Sequence, residues 1–271
     1  MKHKTIKNDI TLEGIGIHSG KKVIMNIYSS KKNKIIFYDK NNKSNKIEVS
    51  ALNCANFHNR ATYLQNDLMT IQTPEHFLAA CAAFGITSLD ITIDSQELPI
   101  FDGSSLVFIN TFLDNEIIEL NSESPDIVIT EHKVLNHNDG CIILSPSNKS
   151  YFSYYLSYKN SIISTQTAFT EINSSLFKSE IFKARTFGFE NEVIQLKKQG
   201  LAKGGSLENA LVIGENSYIN PPRFVNECAM HKLLDLIGDL WILNRKIIGN
   251  ITAIKSGHQL NTQCVKYLNE L

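Results

Sequence analysis

The sequence has no excess of charge of either sign. Its 271 residues include 27 Lys and Arg and 27 Asp and Glu, so the formal net charge is zero. A basic surface for nucleic acid or another polyanion is therefore not indicated, and we expect no nucleic-acid partner.

Long apolar runs are also absent from the sequence. No run approaches the roughly 20 apolar residues that span a bilayer. The N-terminal residues have no apolar segment typical of a secretion signal. The sequence therefore predicts a cytoplasmic protein with at most peripheral membrane association.

Cysteines are few, and they are not arranged in pairs. The five cysteines are scattered and include no C-x-x-C motif. This distribution argues against a disulfide framework and against a cysteine-rich zinc site. Any metal in this protein would therefore be held by histidine and carboxylate ligands.

Short strands and helices follow one another in irregular order, and no internal repeat is evident. Alternating or β-branched segments predict strands at 21–29, 33–39, 88–94, 126–134, 141–145 and 151–158. Apolar residues at helical spacing predict helices at 73–85, 105–118, 176–182, 190–199, 226–243 and 261–271. In the first helix, Thr73 is the expected N-cap and Gly85 the expected stop. The order of elements predicts an α+β fold.

One polar segment is the predicted connection between two units. Leu120–Asp126 contains a single proline and divides the chain into parts of comparable length. It predicts an N-terminal α+β domain at 1–120 and a C-terminal α+β domain at 127–271. A site built from both domains would lie in the cleft between them, which is a common place for a ligand.

The predicted helix at 226–243 has a polar face that could bind a metal ion. His231 and Asp235 are four residues apart, and Asp239 follows four residues later. Residues at i and i+4 lie on the same helix face, so His231 and Asp235 could reach one ion. A solvent-exposed face is the simpler explanation of the same pattern.

Two further segments supply groups that would complete such a site. Glu75 and His76 lie in the first turn of their helix, where the helix dipole should keep Glu75 ionised and His76 neutral. His258 follows Gly257 after a strand-like segment, in a predicted turn at a strand end. Taken singly, these residues are also explained as a favourable first-turn carboxylate, a surface histidine and an ordinary loop histidine.

Together these residues have the chemistry of a metal-dependent hydrolase. His76, His231 and Asp235 would leave the fourth position of a zinc ion open for water. Glu75 could take a proton from that water, and His258 could protonate a leaving amine. Such a set would hydrolyse an amide or an ester.

Seven segments occur in order between residues 14 and 261: GIGIHSGKKV, TPEHFLAAC, ELPIFDGSS, ARTFGF, GLAKGGSLENALV, HKLLDLIGDL and KSGHQLN. They resemble the UDP-3-O-acyl-N-acetylglucosamine deacetylases, zinc enzymes of lipid A synthesis in Gram-negative bacteria. The resemblance implies two similar βααβ-like domains packed through their helices, with the active site in the cleft between them. An insert around 190–211 would form an apolar passage for the acyl chain.

The resemblance also implies a role for each candidate residue. The Zn²⁺ ligands would be His76, His231 and Asp235. The catalytic groups would be Glu75 as general base, His258 as the acid that protonates the amine, Asp239 as its orienting partner, and Thr186 at the oxyanion. The substrate contacts would be Lys232, Lys255, Phe187 and His18. The implied substrate is a UDP-linked acylated glucosamine, and we expect a monomer.

Some positions depart from the family pattern, and other functions stay open. Asn226 and Met230 stand where the family often has an aspartate and an arginine, which questions local salt bridges rather than activity. A deacylase of a different acylated sugar would keep the zinc site and change the nucleotide contacts. A non-catalytic sugar-nucleotide or lipid-binding protein on the same scaffold should have lost a metal-binding or proton-transfer residue, and none is lost.

Overall fold

The computed structural model describes residues 1–55, 60–159 and 162–271. In the first part of the chain the strands are β1 (Lys2–Ile6), β2 (Ile10–Ile15), β3 (Lys22–Ser29), β4 (Ile35–Asp39), β5 (Lys46–Glu48), β6 (Tyr63–Gln65), β7 (Thr70–Gln72), β8 (Leu89–Ile93) and β9 (Ile117–Glu123). The α-helices of this part are α1 (Glu75–Phe84) and α2 (Leu106–Leu113).

The second part of the chain contains the remaining described strands and helices. Its strands are β10 (Ile127–Val128), β11 (Lys133–His137), β12 (Gly140–Ser145), β13 (Ser150–Leu156), β14 (Gln166–Glu171), β15 (Phe187–Phe189), β16 (Leu211–Ile213) and β17 (Ile247–Ile254). Its α-helices are α3 (Glu190–Lys198), α4 (Glu227–Leu240) and α5 (His258–Asn269). None of the described helices is both long enough and apolar enough to cross a bilayer.

Two mixed sheets with the same topology form the framework. The first has the strand order β2-β3-β8-β4-β5, and the second has the order β11-β12-β17-β13-β14, with β10 added beside β17. In both sheets the first two pairings are antiparallel, the third is parallel and the fourth is antiparallel. A parallel pairing needs a crossover, and helix α1 or α4 lies within each one. The α+β fold of two similar units is as predicted.

The two units pack through α1 and α4, which are almost completely buried. Every residue of α1 from Glu75 to Ala83 is buried, and Lys232 is the single residue of α4 that is not. Apolar side chains of both sheets and both helices form one continuous core. Because strands β3 and β17 alternate buried and more exposed residues, each sheet turns one face towards this core.

Gly238 lets the two central helices approach each other closely. A Cβ atom built at Gly238 would lie 2.0 Å from the carbonyl oxygen of Glu75, which is backbone and cannot rotate away. We expect Gly238→Ala to force α4 away from α1 and to lower the free energy of unfolding by about 1–3 kcal/mol, the usual cost of overpacking. Urea denaturation would measure this change.

Gly257 provides the matched control for that substitution. It has a φ of −137°, and a Cβ atom there would meet nothing within 4 Å. Gly257 is the N-cap of α5, where alanine is less favourable than glycine, so Gly257→Ala should lower the unfolding free energy by less than about 1 kcal/mol. Equal effects of the two substitutions would contradict the proposed role of the helix contact.

Some elements differ from the sequence predictions at their ends. Thr73 does not cap α1: Pro74 is the N-cap, and Thr73 has a φ of 60° with its hydroxyl unpaired. The predicted helix at 105–118 ends at Leu113, and the following residues form β9, which pairs with β1. The predicted connection Leu120–Asp126 therefore starts inside a strand, and the domain division at this segment stays a prediction.

Three other segments also differ from their predictions. The strand at 126–134 is split into β10 and β11, and the helix at 176–182 consists of short 3-10 turns. His258 lies in the first turn of α5, which starts three residues earlier than predicted. Long-range pairing and helix docking decide these boundaries, and local sequence patterns do not contain that information.

Candidate functional site

Helices α1 and α4 bring the three predicted metal ligands together. His76 Nε2 lies 3.7 Å and His231 Nε2 lies 3.3 Å from Asp235 Oδ1. All three side chains are buried, so the polar face of α4 is not the solvent-exposed face that the simpler explanation required. Their ligand atoms lie within 4.8 Å of one another, a spacing that suits one small cation.

Hydrogen bonds leave the metal-facing atoms of this group free. His231 Nδ1 donates to the carbonyl oxygen of Ala184 at 3.1 Å, which leaves Nε2 with its lone pair. Lys232 Nζ donates to Asp235 Oδ2 at 2.8 Å. Asp235 Oδ1 is buried and has no hydrogen-bond partner among the described residues. A buried carboxylate oxygen without a donor is costly, and a cation bound there would satisfy it.

The protonation states of the three residues also suit a metal. Burial lowers the pKa of His76 to about 3 and also lowers the pKa of His231, so both rings are neutral ligands at pH 7. Burial alone would raise the pKa of Asp235, but His231 and Lys232 beside it hold that pKa below its usual range. Two neutral imidazoles and one carboxylate match the donor set of catalytic zinc sites.

A second buried group lies beside the first and contains Glu75, Asp239 and His258. His258 Nδ1 donates to Asp239 Oδ2 at 3.0 Å, and the amide of Asn261 donates to the same oxygen at 2.8 Å. Burial disfavours a charged imidazole, but the Asp239 carboxylate outweighs it and raises the pKa of His258 to about 9. His258 is therefore protonated and cationic at neutral pH.

Glu75 has an environment that the sequence did not indicate. Burial raises its pKa to about 8, so the expectation that the helix dipole alone keeps it ionised is wrong. The helix start offers a favourable dipole, but loss of hydration in the packed interface is the larger effect. A carboxyl group with a pKa near neutrality is well matched to proton transfer.

Three buried polar residues around the site were not indicated by the sequence patterns: Thr62, Arg185 and Glu227. The hydroxyl of Thr62 donates to Asp239 Oδ1 at 2.5 Å, and no local pattern marked this residue. Arg185 pairs with Glu227 at 3.0 Å, which ties the segment carrying Thr186 to the first turn of α4. Glu227 therefore forms a salt bridge at the start of α4. Asn226 and Met230, which differ from the family pattern, had put local salt bridges in question. Arg185 lies inside the ARTFGF segment, so its motif was a signal that could have identified it.

Both groups face a cavity of about 710 Å³. It is lined by all the predicted substrate-contact residues and by the predicted oxyanion residue: His18, Lys232, Lys255, Phe187 and Thr186. The two lysines already have partners, since Lys232 bonds to Asp235 and Lys255 Nζ lies 3.1 Å from Asp139. The ring of Phe187 stands edge-on to His231, with 6.3 Å between the ring centroids.

A β-α-β insert contributes apolar side chains to the lining of the cavity. Strands β15 and β16 are parallel neighbours, and α3 lies between them in the chain. The apolar residues that this insert and the segment beside it contribute to the cavity include Val193, Ile194, Leu196, Ala202, Leu207 and Val212. The Gly204 backbone N–H donates to the carbonyl oxygen of Ile17 at 3.0 Å, so the insert region is fastened to the other half of the protein.

The known proteins that this chain resembles are named as deacetylases, which agrees with the hydrolytic chemistry that the site geometry allows. The family model for UDP-3-O-acyl N-acetylglycosamine deacetylase matches residues 3–270. A UDP-3-O-acyl-N-acetylglucosamine deacetylase from Leptospira biflexa is 37% identical over 266 residues, which are 97% of this chain and 88% of that protein. Proteins of the same name from Campylobacter hominis and Helicobacter pylori are 36% and 33% identical, over 96% and 98% of this chain and 89% and 90% of their own lengths. This chain belongs to the UDP-3-O-acyl N-acetylglycosamine deacetylase family.

Proposed function

We propose that this chain removes the N-acetyl group of UDP-3-O-acyl-N-acetylglucosamine and releases acetate, the committed step of lipid A biosynthesis. One observation carries the proposal: a buried set of two histidines and one aspartate lies beside a carboxyl group and a cationic histidine, all facing one cavity. This is the combination that hydrolysis of an unactivated amide needs. The names of the family and of its curated members point to the same substrate.

The metal is proposed to be Zn²⁺, held by His76, His231 and Asp235. The unpaired Asp235 Oδ1 and the free Nε2 atoms support this assignment. When bound, the ion would polarise the amide carbonyl and would favour the ionised form of nearby Glu75.

Two groups of the chain are proposed to move protons. Glu75 would accept a proton from the attacking water, and its elevated pKa keeps that proton available for later transfer. His258 has Nδ1 occupied by Asp239, so Nε2 is the atom that would deliver a proton to the leaving amine. Thr186, on the cavity wall, is proposed to stabilise the oxyanion.

The cavity is proposed to bind the sugar nucleotide and the acyl chain of the substrate. Phe187, His18, Lys232 and Lys255 are proposed to contact the sugar nucleotide, with the cationic side chains favouring its phosphates. The apolar side chains of the insert that line the cavity are proposed to contact the ester-linked acyl chain, because each CH₂ buried there would contribute about 0.8 kcal/mol.

The test of the proposed function is an acetate-release assay with purified protein and the UDP-linked substrate, before and after treatment with a chelator. We expect release that stops with the chelator and returns when Zn²⁺ is added. The same assay with an acylated N-acetylglucosamine lacking UDP tests the alternative substrate. Faster hydrolysis of that compound would favour a deacylase of a different acylated sugar. If neither compound were hydrolysed, the proposed enzymatic activity would be refuted.

The pH dependence of kcat/KM should report the His258–Asp239 pair. His258 must be protonated to act as an acid, and its pKa is raised to about 9, so activity should fall on the alkaline side as the proton is lost. Asp239→Asn removes the charge that raises this pKa, so the alkaline limb should move to lower pH and the maximum should fall. Steady-state rates across pH 5–10 would measure both changes, with zinc content determined for each protein. An alkaline limb that does not move would show that the two residues are not coupled, and Lys232 would be the next acid to test.

Gly205 offers a test of the acyl passage. It lines the cavity, and a Cβ atom there would meet Ala202 oxygen at 3.3 Å, so a larger side chain would have to point into open space. We expect Gly205→Trp to raise KM for a long-chain substrate more than for a short-chain analogue, because only the long chain needs the passage. Gly205→Ala is the control and should leave both KM values close to those of the unsubstituted protein. Equal effects of tryptophan on both substrates would assign this segment to stability or to nucleotide binding.

A further inference from the structure

Thr62 contacts every member of the proton-transfer group, although no motif includes it. Its hydroxyl oxygen lies 2.5 Å from Asp239 Oδ1 and 3.1 Å from His258 Nδ1. Its backbone N–H donates to Glu75 Oε2 at 3.3 Å. The residue has no exposed surface, so all of these contacts are protected from water.

The donors and acceptors of this network can be assigned from the chemistry of the groups. An ionised carboxylate only accepts, so the single hydroxyl proton of Thr62 goes to Asp239 Oδ1. The lone pairs of the same oxygen then face the N–H at His258 Nδ1. Asn261 and His258 both donate to Oδ2 of Asp239, which leaves Thr62 as the side-chain donor to Oδ1.

The backbone of Thr62 is held in place by the elements that carry Glu75. The carbonyl oxygen of Thr62 accepts a hydrogen bond from the N–H of Thr73 at 3.0 Å, just before α1 begins. The next residue, Tyr63, pairs with Gln72 in the hairpin of β6 and β7. Thr62 is therefore fixed relative to the first turn of α1. Its hydroxyl connects this fixed position to Asp239 on α4 and His258 on α5.

We propose that Thr62 is a positioning residue for the deacetylation, whose hydroxyl holds the Asp239 carboxylate and the Nδ1 side of His258 so that His258 Nε2 faces the substrate. It also links the acid to the base, because the same residue donates its backbone N–H to Glu75. Buried hydrogen-bond networks restrain the groups that they join, and removing one member loosens the others. The inference rests on the proposed function of the site.

The kinetic test compares two substitutions of Thr62 with a matched control elsewhere. Thr62→Val keeps the volume and removes the hydroxyl, whereas Thr62→Ser keeps the hydroxyl and removes the methyl group. We expect kcat to fall on the order of 10- to 100-fold for valine, the effect of one charge-assisted hydrogen bond that aligns the acid, with KM within about twofold. Thr62→Ser should retain kcat within about threefold.

Thr262→Val is the control for burying a valine in place of a threonine. Thr262 is buried on α5, and in the described part of the chain its hydroxyl has no hydrogen-bond partner, so this substitution removes no hydrogen bond found there. It should leave kcat unchanged. Wild-type kcat in Thr62→Val, or an equal loss in Thr62→Ser, would overturn the proposal. A rise in KM with unchanged kcat would overturn it as well, because the residue would then contact substrate instead.

A spectroscopic measurement tests the same contact without turnover. In zinc-loaded protein labelled with ¹⁵N-histidine, the Nδ1–H proton of His258 should give a downfield resonance, identified by its absence in His258→Ala. We expect this resonance to shift or broaden in Thr62→Val and to persist unchanged in Thr62→Ser and Thr262→Val. An unchanged resonance in Thr62→Val would reject the contact. If the unsubstituted protein releases no acetate, the proposed function fails, and this comparison still decides whether Thr62 orders His258.

Discussion

Glu75→Gln should lower kcat by about 10²–10⁴-fold, the usual contribution of a positioned general base. Glutamine preserves the size of the side chain, and its carbonyl oxygen can still accept the Thr62 N–H that Glu75 accepts now. It cannot take a proton from water. The loss should therefore appear in kcat, with KM nearly unchanged, in the acetate-release assay.

The zinc content of this variant decides whether the role is correct. Glu75 lies in the group with Asp239 and His258 and is not part of the group formed by His76, His231 and Asp235. Glu75→Gln should therefore bind about one zinc per chain, as the unsubstituted protein should. If zinc content fell in proportion to activity, Glu75 would be a ligand, and the roles of the carboxylates would have to be reassigned.

Asp235→Ala should lose most of the bound zinc and with it nearly all activity. Two histidines alone hold a divalent ion poorly, and the substitution also removes the negative charge closest to both rings. Lys232 would lose its partner at 2.8 Å, and its ammonium group would then repel a cation in the same space. Metal analysis after dialysis against zinc-free buffer would measure the loss.

An exposed aspartate serves as the control for this experiment. Asp9 lies between β1 and β2 and is exposed, so Asp9→Ala changes the net charge by the same amount without touching the site. It should keep zinc and activity. Asp235→Ala protein that retained full zinc would refute the proposed ligand set, and circular dichroism would establish that the comparison is between folded proteins.

Much of the site was predictable because part of it is local. His231 and Asp235 share a helix face because they are four residues apart. Glu75 and His76 lie in the first turn of α1, a helix that starts after Pro74 and ends at Gly85. The ordered motifs then indicated the family, and with it the role expected of each residue. The alternation of β3 and β17 likewise predicted strands with one buried face.

Other properties of the site depend on contacts between distant parts of the chain. Thr62 contacts Asp239 because the β6–β7 hairpin packs beside α1 and α4. The spacing of residues along the sequence does not indicate this contact. Arg185 and Glu227 form their buried pair for the same reason. The ionisation of Glu75 was predicted wrongly, since the dipole of a helix is a local property whereas desolvation depends on what packs over it.

The sequence by itself determined the residue types, their spacing on each helix and the alternation of the strands, because these follow from backbone geometry over a few residues. The family resemblance implied two similar halves, and the tertiary structure showed the strand order that they share, since different side chains can fill equivalent positions of the same framework. The tertiary structure also decided that His76 of α1 meets His231 and Asp235 of α4. That meeting requires Gly238 to let the helices touch. Burial then shifts the pKa values of Glu75 and His76, whereas the charge of Asp239 outweighs burial at His258.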